Sequence, residues 1–348
     1  MRRVLVFVGQ DFILSRQVAL QTCPTLLVGV ECGEAALVPT GDAIQMILLR
    51  MNVLAVTVLA VGAVAADEVS SEAGGIHTSE NHVFRQLLID GIRTADGQTF
   101  QLPAPMMSDD LSPQQQQDLI KQNLGGRPID RYLRNSVVAP HICQLTDAVK
   151  TEAFTIRQVD FWFIGYADLE QLTSSQFVIF NEADETTTLE IKNKALTARG
   201  LPRTTDAGGN ILSETFGHLR YNLLNKIQLA ATGRAFVTRG ESSIVAAGIV
   251  DPRFRDDAEY PNQWRPLSPD DAGKLVAGAT QPYDGGGGYL KATRLSEPRG
   301  ALFIEGHLLL VEPIGWFGGK NQLRAKMPAI IQSQVRSVRR ALLKTSRQ

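Results

Sequence analysis

The residues of this chain whose types and spacing are best suited to chemistry lie between Asp251 and Gly273. Asp251-Pro252-Arg253-Phe254-Arg255-Asp256-Asp257 is followed by Glu259-Tyr260-Pro261-Asn262-Gln263-Trp264-Arg265-Pro266. Carboxylates from Asp251, Asp256 and Asp257 beside Arg253 would serve hydrolysis by acid–base catalysis, provided they converge in a cleft. Asp256, Asp257 and Glu259 are the candidates for a hard cation such as calcium, although EF-hand spacing is missing. Pro252, Pro261, Pro266 and Pro269 interrupt any sustained period, while Phe254, Tyr260 and Trp264 supply surface to pack. A long aperiodic stretch of this kind is expected to be a lid, an edge cover or a ligand contact.

Other chemical patterns fail on spacing. The histidines, His77, His82, His141, His218 and His307, contain no His-x-x-x-His pair, and no Cys-x-x-Cys occurs. Cys143 follows His141 at i+2, but lacks an evident activating partner and is expected to be a buried structural thiol. Gly240-Glu241-Ser242 begins a nucleophile elbow, yet Ile244 stands where its last glycine belongs. Gly285-Gly286-Gly287-Gly288 precedes a strand and is expected to be a flexible turn. Gly318-Gly319-Lys320 precedes a helix, but Asn321 replaces the Ser/Thr of a P-loop. Glu190-Ile191-Lys192 with Asp168 or Asp184 has the residue types of a metal-dependent nuclease, but three loosely spaced residues recur by chance and a solvated strand face is the expected reading. No cofactor is implied.

Composition narrows the classes further. The chain has 348 residues, 44% apolar and 20% charged, with a net charge of −1. No global field favours nucleic acid, which is not expected as a partner. The last 29 residues carry eight basic groups and no acid. Arg336, Arg339, Arg340 and Lys344 are therefore candidates for an anionic surface, although cations near a helix C-terminus also complement its dipole.

A targeting signal stands inside the chain. Met46-Ile47-Leu48-Leu49-Arg50-Met51 leads into an uncharged run from Val53 to Ala66 that ends Ala63-Val64-Ala65-Ala66 before Asp67. A basic lead, an apolar stretch and an A-x-A exit describe a secretory signal. Residues 46–66 are read as that signal, 1–45 as a spurious or unstructured upstream segment and 67–81 as a flexible leader. The expected address is the envelope, periplasm or exterior, after cleavage near Ala65–Asp67. The alternative is an anchor formed by uncleaved 51–66, although that run is short for a span, which needs roughly 20 residues.

The elements that must position any site follow from periodicity. A helical section is expected over 82–150, with a helix near His82–Ile92. A second helix is capped by Ser112, opened by Pro113, boxed by Gln115 and ended by Gly125-Gly126. From 151 the texture is that of strands: Val159–Ile164, Thr186–Ile191, a long hairpin from Leu219 to Val250 with a bulge at Gly233, and Tyr289–Leu295 paired with Ala301–Val311. Leu323, Met327, Ile331, Val335, Val338 and Leu342 mark a long closing helix. The fold class is α+β: a curved antiparallel sheet of consecutive hairpins with this helix packed on it, 151–348 forming one domain with 82–150. From Val159 onward the outline is similar to helix-grip, START-like ligand-binding folds. No motif carries that likeness, and fold alone does not give function.

The expected function is a non-catalytic binding protein for a hydrophobic small molecule or a protein partner. Its pocket is expected between the sheet and the last helix, with Trp162, Trp264 and Trp316 at the rim and Tyr260 and Arg253 as further binding residues. The alternative is the hydrolase reading of the 251–259 carboxylates. N-terminal sequencing of the exported protein is expected to begin near Asp67; a first residue well upstream of Ala66 would overturn the signal reading.

Overall fold

The computed structural model describes residues 81–345 apart from 95, 170–171, 173–186, 202–213 and 320. The expected export signal, residues 1–45, leader residues 67–80, Cys23, Cys32, His77, Asp184, the Gly208-Gly209 break, Lys320 and Arg347 lie outside the described residues.

A large antiparallel sheet with one long C-terminal helix on a face is the architecture, as the hairpin series and the closing heptad-like stripe imply. The strands are β3 (Ile142–Lys150), β4 (Phe154–Tyr166), β5 (Thr187–Glu190), β6 (Thr215–Leu223), β7 (Ile227–Arg239), β8 (Ser243–Val250), β9 (Gln263–Pro269), β10 (Leu275–Ala277), β11 (Gln281–Pro282), β12 (Gly286–Arg294) and β13 (Ala301–Pro313). The main path runs β10-β9-β7-β8-β12-β13-β4-β3, and β6 lies on the other edge of β7 with β5 outside it. Two short strands, β1 (Ile92–Arg93) and β2 (Thr99–Phe100), pair separately. The helices are α1 (His82–Ile89), α2 (Pro113–Leu124), α3 (Ile129–Tyr132), α4 (Asn193–Ala198) and α5 (Gln322–Thr345).

Local signals explain the helix ends. Asn81, assigned to the leader from sequence, is buried. Its side chain accepts the Phe84 amide at 2.9 Å and donates to the Phe236 carbonyl at 3.0 Å, so it caps α1 and ties it to β7. Ser112 and Gln115 form a reciprocal capping box on α2, and Gly125 ends it at φ 58, a left-handed conformation that favours glycine.

The central strands are buried on both faces, so each must alternate between two covers. On β13, Leu302, Ile304, Leu308 and Leu310 face α5, where they join Val159, Phe161 and Phe163 of β4 and Leu323, Met327, Ile331 and Val335 of the helix. Phe303, Leu309 and Val311 face the N-terminal layer of α1 to α3. Two glycines set the close approach. A Cβ on Gly306 would lie 2.2 Å from the Phe161 ring, and one on Gly165 would lie 2.6 Å from Leu342 of α5.

Several expectations are corrected. Ile142–Lys150 is a strand, not the end of a helical section. It is an edge strand, half-exposed, with a register shift between Asp147 and Val149 that obscures the period of two. Gly233 pairs in register with Gly217 and Val250 and is not a bulge; it marks where β7 changes neighbours from β9 to β8. Gly286–Gly288 is not a flexible turn but the start of β12. A Cβ on Gly288 would meet the His307 carbonyl oxygen at 2.5 Å, and one on Gly287 would meet Leu87 of α1 at 2.9 Å.

Gly306→Ala is expected to destabilise the protein by about 1–3 kcal/mol, because Phe161 must leave its rotamer. Chemical denaturation would show this as a lower midpoint at unchanged slope. A midpoint equal to that of the parent would count against this packing.

Candidate functional site

Strand alternation decides which aromatic residues meet. Trp264 and Trp316 come together with ring centroids 6.1 Å apart, and Tyr283 stacks on Trp316 at 5.8 Å. All three belong to the core on the α5 side. Trp162 does not join them. It points to the opposite face with Ile142, Ile164, Phe303 and Tyr132, edge-on to His307 at 5.8 Å. The three tryptophans therefore do not share one rim. Along α5, Leu323, Met327, Ile331 and Val335 are buried directly against the sheet. Trp264 also contributes to an open cleft of about 550 Å³ with Phe154, Pro266, Pro282 and Ile314.

The 251–262 stretch is an excursion between strands. Asp251 follows β8, Pro252–Phe254 is a 3₁₀ turn, and β9 begins at Gln263, so Trp264 is a strand residue. Asn262 pins the excursion: its side chain accepts the Thr232 amide and donates to the Asp251 carbonyl, each at 2.7 Å. The carboxylates do not converge. Asp251 is engaged by Arg253 through Nε at 2.9 Å, with Arg234 at 3.9 Å. Asp257 turns instead to Arg199 at 2.7 Å, which holds its carboxyl down at about 2. Glu259 also meets Arg199, at 2.9 Å, and Asp256 is exposed. Arg199 lies 4.8 Å over the Tyr260 ring, and Arg253 lies 6.0 Å over Phe216. Charge pairing and packing account for these residues. Among the described residues no cluster of His, Cys, Asp and Glu is arranged to hold a metal.

A cavity of about 350 Å³ lies at the β3 edge of the sheet, beside α5. Leu124, Pro128, Tyr132, Ala139 and Ile142 supply apolar wall. Arg127 and Arg131 from the α2–α3 end, Arg336 and Arg339 from α5, and His141 before β3 supply the polar wall; among the described residues no acid lines it. Arg339 is 4% exposed. Its guanidinium donates to the carbonyls of Ile164 at 2.9 Å, Pro140 at 2.9 Å and Ala139, and lies 5.4 Å from the Phe163 ring centroid. No carboxylate pairs with it among the described residues. Burial pushes Arg339 down to about 10, still a cation at neutral pH. Burial, then the charges of Arg339 and Arg336, hold His141 at about 4 and hence neutral. Arg339 is thus turned inward and does not share an outer face with Arg340, which is exposed. Sequence reasoning singled out Arg336 and Arg339 but missed Arg127, Arg131, Tyr132 and His141. Arg127 and Arg131 at i, i+4 after the Gly125-Gly126 stop were the available signal.

A second group crosses the N-terminal face of the sheet. His307 and Asp160 are direct cross-strand partners, as are Glu305 and Lys291. His307 Nδ1 lies 2.7 Å from Asp160, and Nε2 lies 3.4 Å from Glu305. Glu305, with no exposed surface, accepts the amides of Met106 at 2.8 Å and Met107 at 3.2 Å. Lys291 donates to the Met107 carbonyl and pairs with Asp109, each at 2.7 Å. Ser243 donates to Asp109 at 2.9 Å. This is a clamp on residues 106–109, with each buried charge satisfied. Losing one partner of such an arrangement costs about 3–5 kcal/mol. Cys143 is buried, and burial pushes its thiol to about 12, which leaves it unreactive.

No family model matches the chain, and no curated protein matches it. Among solved structures, that of human STARD10 is similar, with 10% identity, a TM-score of 0.36 and coverage of 69% of this chain and 82% of that one.

Burial lowers the His307 pKa, but its hydrogen bonds to Asp160 and Glu305 and their charges outweigh it, so the imidazole is held above its ordinary 6.5. A raised folded-state value stabilises below the unfolded value and loses that contribution as pH rises through the folded one. The stability gap between the parent and His307→Gln is therefore expected to be widest below about pH 6.5 and to narrow in alkali. Denaturation at several pH values checks this; a constant gap from pH 5 to 9 would contradict it.

Proposed function

We propose that this is a non-catalytic binding protein of the cell envelope or exterior that holds a small hydrophobic or amphiphilic molecule in the β3-edge cavity. The observation that carries the reading is the cavity itself. Its apolar wall comes from three separate segments, and polar groups from the α2–α3 end, α5 and His141 share the same concave space, as a small-molecule site requires. Its volume of about 350 Å³ falls in the lower part of the roughly 300–1,000 Å³ range of such sites. The signal-like segment read at residues 46–66 supports the address. The hydrolase reading has no comparable support, since Asp251 and Asp257 are turned to different arginines.

Gln332 lines the cavity from the partly exposed side of α5. Gln332→Trp is expected to fill the space with little effect on folding and to weaken ligand binding at least tenfold. Native mass spectrometry of the protein purified from its own source should show a bound small molecule on the parent and not on Gln332→Trp. Equal occupancy of the two would place the ligand elsewhere, and an empty parent would argue against the reading.

A further inference from the structure

We propose that the ligand of the β3-edge cavity carries an oxyanion, a carboxylate or a phosphate, seated on Arg131, Arg336 and the Tyr132 hydroxyl. The inference rests on the cavity being the binding site and adds the chemistry of the bound group. Three observations carry it. First, the wall holds Arg127, Arg131, Arg336 and Arg339 with no Asp or Glu among the described residues, although the chain as a whole is nearly neutral. Four guanidiniums around one space repel one another unless a counter-charge enters. Second, Arg339 is buried with backbone carbonyls as its only hydrogen-bond partners among the described residues. Those carbonyls anchor it without neutralising it, so its field remains directed at the cavity. Third, Tyr132 lines the cavity, and its buried hydroxyl has no hydrogen-bond partner among the described residues. A buried donor left unmade costs about 1–3 kcal/mol, which an acceptor in the cavity would recover. The Glu305 carboxylate, whose field reaches Tyr132, is already engaged by the Met106 and Met107 amides.

The geometry divides the labour. Arg339 is fixed in place. Arg131 is exposed and Arg336 half-exposed, so both are free to close on a bidentate oxyanion, which their planar fork matches. The apolar wall then receives a short alkyl or aromatic portion. Inorganic phosphate and an amphiphilic carboxylate share the head-group chemistry, and the test separates them.

Binding of decanoate, decanol and inorganic phosphate to the full chain, freed of bound lipid, is measured by calorimetry at low and high salt. Decanoate is expected to bind at least tenfold more tightly than decanol, and the advantage is expected to shrink as salt screens the arginines. Arg131→Gln with Arg336→Gln should remove most of that advantage while leaving decanol unchanged. Tyr132→Phe should lower decanoate affinity about tenfold, yet leave the unliganded protein as stable as the parent or more so. Equal binding of decanoate and decanol would overturn the oxyanion while leaving a hydrophobic site. Binding of phosphate alone would support the oxyanion and overturn the amphiphile. Binding of none of the three would overturn both.

Discussion

Glu305 has no exposed surface and sits on β13, the strand on which both layers of the protein pack. A carboxylate there is tolerable only when its oxygens are occupied. The amides of Met106 and Met107, with His307 beside them, meet that demand. Because those amides belong to the connection between β2 and α2, the placement of the N-terminal layer depends on this one group. α1 is then free to press on Gly287, and α2 and α3 can cover Trp162 and Ile164. The cavity at the β3 edge is the space left where that layer meets α5.

The two faces of the sheet solve burial differently. The α5 face is continuous and apolar, and its close contacts come from glycines that let the Phe161 and Leu342 side chains enter the sheet surface. The N-terminal face is divided into two apolar patches by the ionic strip of Lys291, Glu305, His307 and Asp160. The first arrangement gives rigidity; the second adds register, because a slip of one residue would leave every charge of the strip unpaired.

Features written in local chemistry were legible in the sequence. The Ser112–Gln115 box, the Gly125 stop, the β12–β13 hairpin and the stripe of α5 each depend on neighbours a few residues apart. What was not legible depends on partners far along the chain. Gly286–Gly288 read as a turn because nothing nearby says that the His307 carbonyl and Leu87 fill the missing side chains. Ile142–Lys150 lost its alternation to an edge position and a bulge. Gln263–Pro269 looked irregular because of its prolines, which the end of a sheet accommodates. Glu305-Gly306-His307 in an otherwise apolar strand was a visible sign of buried polarity, but the cavity gathers Arg127, Arg131, His141 and Arg339 from separate segments. No spacing rule joins those.

The placement of prolines and the β3 bulge has a consequence for how molecules of this protein meet. A sheet this wide offers open backbone groups at both ends, a template for another chain. At the β9–β11 end, Pro282 of β11 cannot donate to a foreign strand. At the other end the bulge between Asp147 and Val149 puts β3 out of step, and Asp147 there is held by Arg157 and Arg324. Each of these features disfavours a foreign strand at the place where it stands.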